Sequence, residues 1–157
     1  MYYHERQLKV EGKPYSSSYP PADLYLEPMV ENYLKRRGLS FTVAVANGWY
    51  PSERVIDRYP RVVIPAFSYQ EGNRYWQARD ISHRAEVRYQ SPHGVRRGDA
   101  FIRTFPLESS LGGFKGLVIA EGPMDALAAA ECGFIGIGLM GATPPGEVLD
   151  AIARLRA

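Results

Sequence analysis

The stretch that decides the fold reads LVIAEGPMDAL and occupies residues 117–127. Its first four residues form a short continuous apolar run, which is typical of a parallel strand that is covered on both faces. Gly122-Pro123 then turns the chain directly into an alanine-rich segment that predicts a helix from Pro123 to Glu131. A second apolar strand, Phe134 to Leu139, and a second helix, Pro145 to Leu155, follow. This order predicts a parallel, right-handed α/β unit.

The chain upstream of this unit has a different pattern. A stripe of apolar residues predicts a helix from Pro28 to Arg37, which Gly38 can end by adopting a positive φ. From Arg61 onward the period changes to two, with turn residues at 70–73, and this predicts an antiparallel hairpin. Further strands are expected at Val87 to Gln90 and at Ala100 to Phe105.

The fold class expected from these patterns is α/β. It consists of an α+β amino-terminal subdomain with antiparallel strands, followed by the parallel β-α-β-α unit. Residues 1–26 are rich in Pro, Ser and Tyr without a sustained period, and we expect a flexible leader there. The predicted division is therefore 1–26, 27–112 and 113–157.

Composition limits the possible classes of protein. The 157 residues are 45% hydrophobic and 23% charged, which excludes a disordered or collagen-like chain. The net charge of +2 is too small to indicate nucleic-acid binding alone, but residues 51–104 carry ten Arg against six acids, and residues 105–157 carry three bases against six acids. No apolar run approaches the ~20 residues of a membrane span, and the amino terminus has no apolar signal core. We expect a cytoplasmic protein without a membrane partner.

Two acids are the candidates for chemistry. Glu121 follows the carboxyl end of the predicted strand, and Asp125 falls in the first turn of the next helix, so both can face one crevice. Two such carboxylates could share a divalent cation whose other ligands are substrate phosphates, as Mg²⁺ prefers. The alternative is equally compatible with the spacing: the helix dipole favours an acid in the first turn, and a Glu before Gly can simply decorate a loop.

A family resemblance adds to this picture. The segment EGPMDAL at 121–127, followed by Gly133-Phe134 and Gly141, closely resembles the first half of the Toprim domain of bacterial DnaG-type primases and phage primase-helicases. The resemblance implies that Glu121 is the acid of nucleotidyl transfer, and that Glu121 and Asp125 lie at a site for Mg²⁺ or Mn²⁺.

The resemblance extends upstream in the same order and covers about residues 30–145. The segments YLKRRGLS at 33–40 and NGWYP at 47–51 look like the opening of the primase polymerase core. RVVIP at 61–65, followed by Gly72 and Arg79, is similar to that core's hairpin, and Arg88-Tyr89 stands where the family usually has a KYL-N-S motif.

The chain departs from the family pattern in two ways. Cys132 is the only cysteine, so neither a disulfide nor the family's zinc module can form, and no zinc is expected. The Asp-x-Asp strand that supplies the principal Mg²⁺ ligands in Toprim domains does not follow the second helix. We expect the natural product to be longer, or another chain to cover the open sheet edge. We expect weak or no catalysis from the 157 residues themselves.

The basic middle segment is the candidate nucleic-acid surface. Arginine binds phosphate and stacks on bases, and aromatic faces accept unstacked bases. The residues assigned to single-stranded DNA are Arg74, Arg79, Arg88 and Tyr89. For Trp76 we favour a place in the core.

One motif has a plainer interpretation than its pattern suggests. Residues 136–141 satisfy G-x-G-x-x-G, but the glycines begin within a predicted strand and no acidic ribose partner follows, so a dinucleotide site is not expected.

The function predicted from the sequence is that of a DNA primase-like protein of DNA replication. It would bind single-stranded template and nucleotides and, in its full-length form, synthesise RNA primers with Mg²⁺; a replicative helicase, or another chain that covers the open sheet edge, is the expected protein partner. The alternatives are a non-catalytic phage or plasmid accessory protein that binds nucleic acid, and a Toprim-type nuclease.

Overall fold

The structure is a computed structural model, and it describes residues 19–55, 57–68, 72–92, 100–107, 113–140 and 146–154. The side chains of residues 72–74 fall outside this description. The helices are α1 (Glu27–Arg36), α2 (Phe41–Ala46), α3 (Pro123–Glu131) and α4 (Gly146–Arg154). The strands are β1 (Tyr50–Ser52), β2 (Arg61–Ser68), β3 (Gly72–Asp80), β4 (Tyr89–Gln90), β5 (Ala100–Thr104), β6 (Leu117–Ala120) and β7 (Ile135–Leu139). None of the described helices is long and apolar enough to cross a membrane.

All seven strands belong to one sheet, with the order β4-β3-β2-β5-β7-β6 and with β1 added to β2. The pairs are antiparallel except for β6 and β7, which are parallel. The predicted α/β class, the hairpin and the parallel unit are therefore confirmed. Strand β5 pairs with β2 on one side and β7 on the other, so the sheet runs without a break across the predicted division at residue 112. Whether 27–112 and 113–157 act as separate units stays a prediction.

Strand β2 is the centre of the amino-terminal half. One edge of β2 pairs with β3 along most of its length. The other edge is shared: β1 pairs with residues 61–63, and β5 pairs with residues 67–68. Pro65, which has no N–H to donate, lies in the interval between these two partners. This arrangement joins the two halves of the sheet through a short contact.

The core has two sides. Helices α1, α2 and α3 cover one face, where the buried cluster includes Leu34, Ala44, Ile64 and Leu127. On the other face Trp76 packs with Tyr19 and Val63, and a separate cluster forms where α4 packs on β5 and β7. Trp76 is only 5% exposed, which confirms its predicted place in the core.

Helix α1 follows its predicted pattern. Pro28 lies in its first turn, the stripe Val30, Tyr33 and Leu34 is buried, and Gly38 adopts φ +72° just after the helix ends. Helix α1 therefore begins and ends one residue earlier than predicted.

Two glycines of β7 explain why α3 can lie so close to the sheet. A Cβ on Gly136 would stand 2.0 Å from the Ala126 carbonyl oxygen, and one on Gly138 would stand 2.9 Å from the Gly122 carbonyl oxygen. The Thr104 hydroxyl donates to the Ala126 carbonyl at 2.6 Å, which ties α3 to β5. The glycines of the G-x-G segment thus serve close packing between helix and strand.

Two expectations differ from the structure. Strand β6 lies at the edge of the sheet, with β7 as its partner, and Ile119 is 50% exposed, so this strand is not covered on both faces. The continuous apolar run of β6 predicted burial. Strand β7 is instead the interior strand of this part of the sheet, because β6 pairs with one of its edges and β5 with the other.

The second difference concerns the predicted flexible leader. Within it, residues 1–18 lie outside the described residues, but residues 24–26 form a 3₁₀ turn and Tyr19 is buried. The Tyr19 hydroxyl donates to the Tyr75 carbonyl at 2.9 Å, and Asp23 forms a salt bridge of 2.6 Å with Arg54. Contacts with residues distant in sequence hold this segment, so local composition could not reveal it. Sequence patterns also missed α2 and β1.

Candidate nucleic-acid interface and acidic pair

The predicted acids lie at one end of the sheet. Strand β6 ends at Ala120, Glu121 and Gly122 form the turn, and Asp125 follows in the first turn of α3. Both acids are exposed, and the close approach of Gly122 to Gly138 places the start of α3 beside the carboxyl end of the parallel pair. This is the edge at which open α/β sheets bind ligands.

The side-chain atoms available at this edge are of the type that binds Mg²⁺. Two carboxylates supply the hard oxygen ligands that Mg²⁺ prefers, and Mg²⁺ commonly uses one or two carboxylates together with substrate phosphates. Within the part of the chain that the structure describes, no group of three or more His, Cys, Asp or Glu side chains converges on one point. The metal and catalytic roles of Glu121 and Asp125 stay predictions.

The predicted nucleic-acid residues lie at the opposite edge of the sheet. Arg79 on β3 pairs in register with Tyr89 on β4, and Arg88 comes just before it. Five inter-strand steps of about 4.8 Å place β4 about 24 Å from β6. The structure therefore places Arg79 and Tyr89 side by side, with Arg88 next to Tyr89 in the chain, and separates these residues from the acids. The side chain of Arg74, also predicted to bind nucleic acid, lies outside the described residues.

Arg79 is the central residue of this edge. It is only 8% exposed, and its guanidinium carbon lies 4.9 Å from the centre of the Tyr89 ring and 6.0 Å from that of Tyr33. On the outer side, the guanidinium carbon of the exposed Arg37 lies 4.9 Å from the Tyr33 ring centre. The result is an alternating stack of cations and tyrosine rings, which we call the Arg79 stack: Arg37, Tyr33, Arg79 and Tyr89.

The electrostatics of the Arg79 stack are unusual. The described residues contain two salt bridges, Asp23–Arg54 and Asp57–Arg61, so within them Arg79 has no carboxylate partner. Its Nε is buried and lacks a hydrogen-bond partner in the same part of the chain. Burial raises the pKa of the Tyr89 phenol, and the neighbouring Arg79 charge opposes part of that rise. A largely desolvated cation without a counter-ion favours the arrival of an anion.

A second arginine holds this edge in place. Arg61, at the start of β2, is completely buried, and all five of its guanidinium N–H groups are used. They donate to both carboxylate oxygens of Asp57 and to the carbonyls of Ala78, Val87 and Arg88.

Hydrogen bonds within the turn between β3 and β4 also stabilise it. Asp80 Oδ1 accepts from the Ser82 amide at 2.8 Å and from the Ser82 hydroxyl at 2.6 Å, and Oδ2 accepts from the Ala85 amide at 3.2 Å. The Asp80 amide donates to the Arg88 carbonyl at 2.9 Å. Burial raises the pKa of the Asp80 carboxyl, but these hydrogen bonds outweigh it and leave the pKa below its ordinary value. Asp80 therefore stays ionised and organises the turn.

Sequence reasoning missed three residues of this edge: Tyr33, Arg37 and Arg61. The sequence patterns placed Tyr33 and Arg37 in the predicted helix, and only the packing of α1 over β3 brings Tyr33, and with it Arg37, to Arg79. For Arg61 a signal existed, because an arginine that opens a run of buried β-branched residues requires partners, and Asp57 stands four positions before it.

Comparisons with known proteins agree with this fold. No protein-family model matches the sequence, and no curated protein does. Among solved structures, the chain is similar to the DnaG primase catalytic domain bound to single-stranded DNA, with a TM-score of 0.54 and 14% identity over 80% of this chain and 50% of that one. The chain has a primase-like fold.

The chain is also similar to a bacteriophage T7 structure, with a TM-score of 0.47 and 20% identity over 69% of this chain and 51% of the other. That structure contains the lagging-strand DNA polymerase with primase domains of two gp4 subunits bound to an RNA/DNA hybrid and dTTP. The chain spans about half the length of each of these two chains.

Proposed function

We propose that this chain is a DNA primase-like protein of DNA replication that binds single-stranded DNA template along its β3/β4 edge. The observation that carries the proposal is Arg79, a buried guanidinium between two tyrosine rings without a carboxylate partner among the described residues. A template phosphate supplies the missing anion, and the exposed cations Arg37 and Arg88 extend the contact along a nucleic-acid backbone. The DNA-bound solved structure noted above is of a similar fold, which makes this class of ligand the natural one to test.

Binding to single-stranded DNA is tested by fluorescence anisotropy with a labelled oligonucleotide over a salt titration. We expect Arg88→Ala to weaken binding and to reduce the slope of log affinity against log salt by about 1, because one phosphate contact is lost. The matched control is Arg84→Ala: Arg84 is exposed in the same turn, but its guanidinium carbon lies 5.9 Å from the Tyr59 ring centre, outside the Arg79 stack. Equal effects of the two substitutions, or no binding by the unsubstituted protein at low salt, would contradict the proposal.

We propose further that Glu121 and Asp125 help to hold Mg²⁺ or Mn²⁺ at the opposite edge. When bound, the ion would neutralise phosphate charge during nucleotide joining. Glu121 would act as a general base or position the metal, with Asp125 assisting from the first turn of α3. The two carboxylates alone are too few for tight binding, so magnesium calorimetry should give weak binding by this chain. Glu121→Gln and Asp125→Asn should each weaken this binding further, and unchanged affinity in both variants would contradict the assignment.

A second candidate is a non-catalytic protein that binds nucleic acid. It is favoured by the separation of the two sites, because the Arg79 stack is complete without the acids. Incubation of the protein with a single-stranded template, nucleotides and Mg²⁺, followed by gel analysis, distinguishes the possibilities. Primer synthesis supports the enzyme, whereas binding without products supports the accessory protein, and nicking supports a nuclease.

A further inference from the structure

Arg61 makes a set of contacts that a purely local role would not require. Its Nη2 donates to Asp57 Oδ2 at 2.8 Å and to the Val87 carbonyl at 2.8 Å. Its Nη1 donates to the Ala78 carbonyl at 3.1 Å and to the Arg88 carbonyl at 3.2 Å. Val87 and Arg88 follow Arg61 by 26 and 27 positions and lead directly into Tyr89. The guanidinium therefore joins β2, β3 and the segment that enters β4.

The segment that Arg61 holds has little other support. Strand β4 is two residues long, and its register involves only Tyr89 with Arg79 and Gln90 with Ala78. Just before it, the Arg88 carbonyl accepts from the Asp80 amide, and Arg61 contributes the bonds to both Val87 and Arg88. A short edge strand contributes few ladder bonds, so these donors decide where residues 87–89 lie.

We infer that Arg61 is a positioning residue of the nucleic-acid surface: by binding the Val87 and Arg88 carbonyls it holds the backbone from which Arg88 extends and fixes Tyr89 beside Arg79. Arg61 itself does not contact nucleic acid, because it is fully buried. The inference rests on the proposed single-stranded DNA binding. Its chemistry requires arginine, since only a planar fork with five donors can reach a carboxylate and three carbonyls on three segments, whereas a lysine has three donors on one nitrogen.

The test is a double-mutant cycle with Arg61→Lys and Arg88→Ala, measured as affinity for a labelled single-stranded oligonucleotide over a salt titration. In the unsubstituted background Arg88→Ala should reduce the salt slope by about 1. In the Arg61→Lys background it should change the slope little, because Arg88 is already displaced. Arg61→Lys alone should weaken binding although the net charge is unchanged. A role limited to global stability would lower the melting temperature but leave the two substitutions additive.

The matched control is Arg54→Lys. Arg54 also forms an arginine–aspartate salt bridge, with Asp23, but its side chain is 57% exposed and it holds no carbonyl of the β3/β4 turn. We expect this substitution to leave both affinity and salt slope unchanged. If Arg61→Lys does not fold, Asp57→Asn replaces it in the cycle, because it weakens two of the five guanidinium bonds and keeps the buried charge. It should give a smaller non-additivity of the same sign.

The possible failures are distinguishable. If the unsubstituted protein binds the oligonucleotide and the Arg88→Ala effect is the same in both backgrounds, the positioning role of Arg61 is wrong and the proposed function stands. If the unsubstituted protein binds no single-stranded DNA at low salt, the proposed function is wrong and the inference falls with it. Non-additivity together with a silent Arg54→Lys control supports the positioning role.

Discussion

The two edges of the sheet differ in the burial and the hydrogen bonding of their charged side chains. At the β3/β4 edge, charged side chains are buried and are held by donors and acceptors from several segments: Arg61 uses all five of its N–H groups, and Asp80 closes the turn. At the β6 edge, Glu121 and Asp125 are exposed, and what is tightly built is the glycine contact between α3 and β7 beneath them. The comparison indicates that the first edge is held in shape by hydrogen bonds from its own side chains. The second edge has a closely packed backbone, but its two acids are exposed to water.

The largest expected effect comes from adding a side chain at Gly136. A Cβ there would meet the Ala126 carbonyl oxygen at 2.0 Å and the Thr104 hydroxyl at 2.5 Å, and the first of these is backbone that cannot swing away. We expect Gly136→Val to lower the free energy of unfolding by more than about 3 kcal/mol, measured by urea denaturation. Gly146→Ala is the control, because a Cβ at Gly146 has no neighbour within 4 Å. A stable Gly136→Val protein would mean that α3 does not need this contact.

The next prediction separates binding from stability at the other edge. Arg79→Met removes a buried cation that has no carboxylate partner among the described residues and replaces it with an apolar side chain of similar length. Single-stranded DNA affinity should fall about tenfold, while the free energy of unfolding stays equal or rises. Arg154→Met on α4 is the control and should change neither quantity, because Arg154 is exposed and far from the Arg79 stack. A large loss of stability with unchanged affinity would show that Arg79 is structural.

The third prediction uses pH. The hydrogen bond from Arg61 holds the pKa of the Asp57 carboxyl below its ordinary value. Since the folded pKa is depressed, the stabilising contribution is fully present above the unfolded pKa of about 3.9 and is lost as pH falls through the folded pKa. Asp57→Asn should therefore lower stability at neutral pH and flatten the fall below about pH 4, measured by denaturation at several pH values. An unchanged pH profile would contradict the ion pair.

The smallest expected effect concerns the acids. Glu121→Gln and Asp125→Asn should change the free energy of unfolding by no more than about 0.5 kcal/mol, because both side chains are exposed. They should also leave single-stranded DNA affinity within twofold, since the acids lie about 24 Å from the β3/β4 edge by strand spacing. Both substitutions should abolish any primer synthesis by the protein, measured on a gel. A clear change in DNA affinity in the absence of metal would mean that the two edges are coupled.

Much of the site was accessible from the sequence, but unevenly. Arg79, Arg88 and Tyr89 were identified through arginines interleaved with aromatic residues; the structure pairs Arg79 with Tyr89, and the binding role of all three stays a prediction. Tyr33 and Arg37 were assigned to helix α1 and to a segment that resembles the opening of the primase core, but not to the nucleic-acid surface, because only the packing of that helix over β3 brings them to Arg79. Glu121 and Asp125 lie at the start of α3 as their spacing predicted, but spacing cannot say whether they bind a metal.

The sequence by itself determined the elements that depend on local hydrogen bonding and on the period of apolar residues: α1, the β2/β3 hairpin, and the alternation of β6, α3, β7 and α4. Only the tertiary structure decided that β5 joins the two halves, that β6 is only partly covered, and that Tyr19 packs against the sheet. It alone showed that Arg61 finds its acceptors on three segments. The physical reason is that strand order and the neutralisation of a buried charge depend on partners far apart in the chain, and no local pattern encodes them.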